Sequence, residues 1–169
     1  MKRAVAGIDP GKKGAWVIMD EDGEIISFGD YANRDKADVA SVDLGMIEKV
    51  SSRPGQGVVS VFTFGVSYGI WQGHLEAYGT PFEFVLPNKW QKAVLDYIPA
   101  KHLKPDGETS KGATARRALN RAILKEAIVE FVKRKYPDLK EVLSLKKNWD
   151  IADAVCIALY GVLRLKKLV

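Results

Sequence analysis

Over the first fifty positions, short apolar runs alternate with turn residues; longer stretches of helical spacing follow. Val5 to Ile8 has the look of a central strand, closed by Asp9 and the Pro10-Gly11 break. Gly14 to Met19 predicts a second strand, Asp20-Glu21-Asp22-Gly23 a turn, and Glu24 to Phe28 a third strand returning antiparallel. Residues 31–43 are polar and short, with no helix expected. Leu44 to Val50 repeats the theme of an apolar strand with an acid near its end, and Ser51 to Gly57 is a loop rich in glycine with one proline. Val58 to Gly79 predicts a helix carrying Gly65, Gly69 and Gly73 on one face. Interior glycines cost about 0.5–1 kcal/mol each relative to alanine, so the stripe calls for close packing against the sheet or a second subunit.

The second half reads as mainly helical. Pro81 to Leu86 is a further apolar strand, and Asn88 to Lys92 starts a short helix. Pro99 to Thr114 is expected to be a basic loop, and loops of that length are often functional. Thr114 to Tyr136 is a helix whose first half puts Arg117, Arg121 and Lys125 on one stripe, opposite Ala115, Leu119, Ala122 and Ile123. Its second half, Ile128 to Val132, should be buried, and Pro137 ends it. The last helix opens at Asp150, with Ile151, Val155, Ala158, Leu159 and Val162 as its core face.

Charge changes the picture most. The net charge is +5, but residues 1–50 hold ten acids against seven Lys/Arg, and the positive excess lies beyond them. That asymmetry suits a polyanionic partner. With 169 residues the expectation is one domain, 1–169. No run of about 18 apolar residues offers a membrane span, and the N-terminus has no room for the apolar core of a signal peptide. The lone Cys156 fits a small core residue in a reducing, cytoplasmic setting. His74 and His102 stand alone, so no zinc site is expected.

The candidate chemistry is carried by acids. Asp9 and Glu48 close strands, where α/β folds place their sites. Asp150 and Asp153, three apart, share one helix face; taken alone they serve equally well as first-turn acids favoured by the helix dipole. Brought together without a cation, each pair of carboxylates about 4 Å apart costs roughly 4 kcal/mol. A hard divalent ion such as Mg²⁺ removes that cost, and two of them suit phosphodiester hydrolysis. Arg53 and Gln56 lie in a glycine-containing loop that can approach a phosphate backbone closely, and the Arg117–Arg121 stripe follows the basic loop.

Gly7-Ile8-Asp9-Pro10-Gly11, Ile47-Glu48-Lys49-Val50 and Asp150-Ile151-Ala152-Asp153-Ala154, in this order, resemble the RuvC-type Holliday junction resolvases of the RNase H-like superfamily. Arg53 to Gly57 with Phe62 to Gly69 is similar to the resolvases of phages and prophages. The resemblance runs over nearly the whole chain. It implies an α/β RNase H-like fold, with a mixed central sheet of about five strands, the first three antiparallel, flanked by helices. It further implies Asp9, Glu48, Asp150 and Asp153 as catalytic metal ligands for two Mg²⁺ or Mn²⁺ ions. Other implications are a homodimer using the 58–79 helix, a four-way junction or other branched DNA as substrate, and Lys89, Lys92, Lys111 and Arg116 as DNA contacts. Two departures stand out. Residues 31–43 are too short for the helix the family places there, and the loop from Tyr97 to Thr114 lacks the glycine-rich pattern of bacterial housekeeping enzymes, so cut-site preference does not transfer.

The first expectation is therefore a metal-dependent endonuclease that resolves branched DNA. The alternative is a catalytically silent branched-DNA-binding protein of the same fold, distinguished by salt-sensitive binding without turnover. A phosphotransferase of the related ATPase fold needs a second lobe for which the chain has no room.

Overall fold

The computed structural model describes residues 2–11, 13–49, 51 and 57–169; Arg53 and Gln56 lie outside the described residues. Five strands form one mixed sheet: β1 (Ala4–Asp9), β2 (Ala15–Asp20), β3 (Ile25–Asp30), β4 (Leu44–Glu48) and β5 (Phe82–Val85). Their order is β3-β2-β1-β4-β5. β1, β2 and β3 are antiparallel neighbours, while β4 runs parallel to both β1 and β5. The β2–β3 hairpin is pinned by Asp20, whose Oδ1 accepts from the backbone N–H of Asp22 at 3.0 Å and of Glu24 at 2.9 Å. The expected sheet is present.

Side chains alternate across the sheet, and that alternation decides where the strand-end acids point. Val5, Leu44 and Met46 pack on one face with the last helix, whereas Ala4, Ala6, Ile8 and Ile47 pack on the other. Asp9 therefore shares the face of Val5 and Gly7, and Glu48 shares the face of Leu44 and Met46. Ile8 pairs with Ile47, so the two acids end adjacent parallel strands at the same edge.

Four helices complete the fold: α1 (Val58–Ala77), α2 (Pro87–Val94), α3 (Ser110–Lys135) and α4 (Trp149–Leu165). α4 lies across β1, β2 and β4 and is covered by α2 and α3. It is buried well beyond the expected stripe, since Ala152, Ala154, Cys156 and Ile157 are also inaccessible. Among the described residues, no helix is long and apolar enough to cross a membrane.

Four expectations need correction. Helix α3 begins at Ser110 rather than Thr114, because Thr109 caps it by accepting from the Gly112 N–H at 3.1 Å. Ala115, Leu119 and Ala122 are exposed, so the first turns of α3 project beyond the core instead of packing on an apolar face. Residues 31–43 do contain helical turns, of the 3-10 kind, at Tyr31–Lys36 and Val39–Ser41. Ala37, Val39 and Val42 from this segment bury against Trp71 and Leu75 of α1, covering the second sheet face without a normal helix. Finally, of the two partners expected for the glycine stripe of α1, the sheet is ruled out and the second subunit is untouched: a Cβ at Gly65, Gly69 or Gly73 would find nothing within 4 Å among the described residues. Beside it Val59, Phe62 and Val66 stand exposed, Phe62 by 71%.

Candidate metal centre

Asp9, from the end of β1, meets Asp150 and Asp153 from the first turns of α4. One carboxylate oxygen from each of the three lies within 4.8 Å of the other two. α4 can stand this close to β1 because Gly7 has no side chain: a Cβ there would lie 2.3 Å from the Ala158 nitrogen and 2.4 Å from the Ala154 oxygen. The start of α4 is set by 3-10 turns at Pro137–Leu139, Val142–Ser144 and Lys146–Asn148. Trp149 Nε1 donates to the Leu143 carbonyl at 3.1 Å and Asn148 Nδ2 to the Val142 carbonyl at 2.8 Å, which fixes the approach to Asp150.

Glu48 stands beside this triad rather than within it. Its Oε1 accepts from Trp90 Nε1 at 3.0 Å, and Trp90 is buried under α2. Burial, and then the charges of Asp153 and Asp150, push the Glu48 carboxyl up to about 7 against the opposing pull of the Trp90 hydrogen bond. Asp9 is raised well above the ordinary carboxylate range by burial first, then by Asp153, Glu48 and Asp150. Burial also raises Asp153, and the Cys156 thiol behind it is held up by burial and by Asp153, leaving it inert.

Lys125 is the residue that sequence reasoning placed differently. Its helical spacing put it on an outward stripe with Arg117 and Arg121; instead its Nζ donates to Asp150 Oδ1 at 2.7 Å and also to Asp153 Oδ2. Burial would lower the ammonium's pKa, but Asp153 and Asp150 hold it above the usual lysine range. One ammonium does not complete the site. Asp153 Oδ1 is buried with no hydrogen-bond partner among the described residues, and its side chain is only 16% exposed. A buried anionic oxygen without a donor is costly in a folded protein. An all-oxygen set of three carboxylates with one such orphan fits a hard divalent cation of the Mg²⁺ or Mn²⁺ kind.

Exposed basic residues lie on the two helices, α2 and α3, that supply Trp90 and Lys125 to the acids. Arg117 and Arg121 are exposed and precede Lys125 at intervals of four on α3, so they form a line leading to the acids. Lys89 and Lys92 are exposed on α2 on either side of Trp90 in sequence, and Lys111 is exposed in the first turn of α3. Arg116 is engaged differently, in a two-point pair with Glu108 (2.8 and 3.0 Å) and with the His102 carbonyl at 3.3 Å. A groove missed at the sequence level reaches Asp150 itself and is lined also by Lys13, Lys146, Lys147 and Asp30. None of these lysines is ion-paired with a described residue; Lys146 lies over the Trp149 ring at 5.4 Å. Such a groove arises only when the β1–β2 turn and the 3-10 turns are brought together, which no local spacing announces.

The Trp90 contact gives a direct test. Trp90→Phe removes the only described donor to Glu48 and should cost about 1–2 kcal/mol. Because that hydrogen bond lowers the Glu48 pKa, its loss moves the carboxyl further above about 7. A carboxylate holds a cation only when ionised, so if Glu48 takes part, metal-dependent thermal stabilisation should be lost on acidification at a higher pH in the variant than in wild type. An unchanged pH midpoint would show that Glu48 plays no part in cation binding.

The Thermus thermophilus RuvC solved in complex with a Holliday junction substrate is similar over 98% of this chain and 97% of its own, at 14% identity and a TM-score of 0.54. A second Thermus thermophilus RuvC structure matches over the same shares at 17% identity and 0.51. No protein-family model matches the sequence, and no curated protein does. The chain has the α/β fold of RuvC, with its mixed five-stranded sheet and flanking helices.

Proposed function

We propose that this protein is a metal-dependent, structure-selective endonuclease, a single nuclease domain over residues 1–169 that resolves Holliday junctions or other branched DNA by paired phosphodiester hydrolysis. The observation that carries the reading is the convergence of Asp9, Asp150 and Asp153 at the sheet edge, with a buried Asp153 oxygen that lacks a partner among the described residues. Those three residues, with Glu48 beside them, would hold two Mg²⁺ or Mn²⁺ ions. Bound there, the ions supply an activated water and charge neutralisation at the phosphodiester. The chain's own residues do the rest. Arg117 and Arg121 on α3, and Lys13, Lys146 and Lys147 in the groove that reaches Asp150, offer a path for a DNA strand across the acids. Lys89, Lys92 and Lys111 are further candidates for phosphate contact, as Arg53 and Gln56 are from the sequence alone. Arg116 supports it by holding the 102–108 loop.

A homodimer is part of this proposal, because two strands of a symmetric junction are cut together. The exposed Val59, Phe62 and Val66 beside the open glycine stripe of α1 support that helix as the contact. Matched linear, flap, fork and four-way substrates with Mg²⁺ test the whole reading on a sequencing gel. Paired, symmetric nicks in the four-way junction are expected. Salt-sensitive binding with no cleavage of any substrate would leave only the silent binding protein. The phosphate path has its own test: Arg121→Ala should reduce the slope of log affinity against log salt by about 0.9 for duplex arms, one released counterion's worth. An unaltered slope would remove Arg121 from the path.

A further inference from the structure

The oxygens of the acid centre fall into two sets. Asp150 Oδ1 and Asp153 Oδ2 are taken by Lys125. Asp153 Oδ1 has no partner among the described residues, and Asp9 brings a carboxylate oxygen within 4.8 Å of one oxygen each of Asp150 and Asp153. A cation held by Asp9 and Asp153 Oδ1 would leave the lysine's contacts intact, but a cation that needs the first set must compete with an ammonium already there. That ammonium is part of the chain, so it reoccupies the position without any diffusional encounter.

On the reading of this site as a divalent-metal centre, we propose that Lys125 is a resident counter-ion standing in the place of the second metal ion. The DNA-free protein then takes up one ion at Asp9 and Asp153 Oδ1 while Lys125 stays. It takes up a second only by releasing the ammonium from Asp150 and Asp153. The lysine stem is long and flexible, and its head can swing toward solvent on the face it shares with Arg121, four residues earlier. There a DNA phosphate would receive it, so substrate binding and completion of the metal pair favour each other. Reciprocity of linkage requires that coupling to run in both directions. A nuclease wired this way keeps its hydrolytic centre incomplete until DNA arrives.

Calorimetric titration of Mn²⁺ into DNA-free wild type, Lys125→Met and Lys125→Arg tests this without any reading of activity. Wild type should take up one ion, with a second binding at least about tenfold more weakly; that gap should close in Lys125→Met and persist in the charged Lys125→Arg. A wild-type measurement guards against a variant that fails to fold: with ¹³C-labelled lysine, the Lys125 ε-methylene signal should move with the second equivalent of Mg²⁺ and not with the first. Equal affinity for both ions in wild type, an unchanged gap in Lys125→Met, or a Lys125 signal that moves with the first ion would each overturn the inference while leaving the metal centre standing. Absence of any Mn²⁺ uptake by wild type would overturn the metal-centre reading itself, and the inference with it.

Discussion

Asp9→Asn should lower metal-dependent cleavage of a four-way junction by on the order of 10³-fold while junction binding in low salt survives. Residues that merely orient metal ligands are worth roughly 10–100-fold, and Asp9 stands nearer the chemistry than that, within 4.8 Å of both Asp150 and Asp153. The same substitution should stabilise the metal-free protein. Burial and three neighbouring carboxylates raise the Asp9 pKa, so ionising it in the folded state is unfavourable. Below the ordinary carboxylate range both folded and unfolded chains are protonated and nothing is lost. As the pH climbs through that range the unfolded chain ionises first, and wild type loses stability until the raised folded values are reached. Glu48 adds to this loss between 4.5 and about 7. Each such group contributes up to about 1.4 kcal/mol per pH unit in its window. Thermal melts with chelator across pH should therefore show a shallower decline in Asp9→Asn than in wild type, and Mg²⁺ should raise the melting temperature of wild type alone. Asp153→Asn should be equally inactive without that gain, because it also removes one partner of Lys125. Full metal-dependent cutting by Asp9→Asn would end the metal-centre reading.

These acids were legible in the sequence because each sits where a local rule places it. Asp9 and Glu48 follow apolar strands, and Asp150 and Asp153 share a helix face by spacing alone. The partners of the acids follow no such rule. Lys125 lies on a stripe with Arg117 and Arg121, and helical period says which residues share a face without saying what that face meets. Half-way along α3 the environment changes from solvent to acid cluster, so identical spacing carries a surface arginine at 121 and a half-buried lysine at 125. Trp90 was visible only as part of a short helix, since its hydrogen bond to Glu48 joins positions 42 residues apart. Thr109 is a helix-cap residue in the sequence, but the basic residues around Pro105-Asp106-Gly107 extend the loop pattern past it. Residues 137–148 are built from single helical turns, whose period is too short to rise above an irregular sequence.

Gly7→Ala should be among the most damaging single-methyl changes in the protein, and the reason links the fold to the site. An added Cβ would sit 2.3 Å from the Ala158 nitrogen and 2.4 Å from the Ala154 oxygen, both backbone atoms of α4. No rotamer change relieves that clash; the helix must retreat from β1. Overpacking of this kind costs about 3 kcal/mol. A retreating α4 also draws Asp150 and Asp153 away from Asp9, so divalent-ion affinity should fall with stability, unlike in a variant that only loosens the core. Gly161→Ala provides the comparison. Its Cβ would meet side-chain carbons of Val5 and Met46, at 2.4 and 2.7 Å. Val5 is β-branched and fully buried, so the stability loss should also be about 1–3 kcal/mol, but it falls on side chains and leaves the backbone contact between β1 and α4 in place. Gly65→Ala sets the opposite limit: with nothing near its Cβ, it should stabilise α1 by about 0.5–1 kcal/mol in the monomer. Chemical denaturation of the three variants, paired with Mn²⁺ titration, separates the roles. Equal stability losses for Gly7→Ala and Gly161→Ala, with Mn²⁺ affinity intact in both, would show that close contact between β1 and α4 is not what holds the acids together.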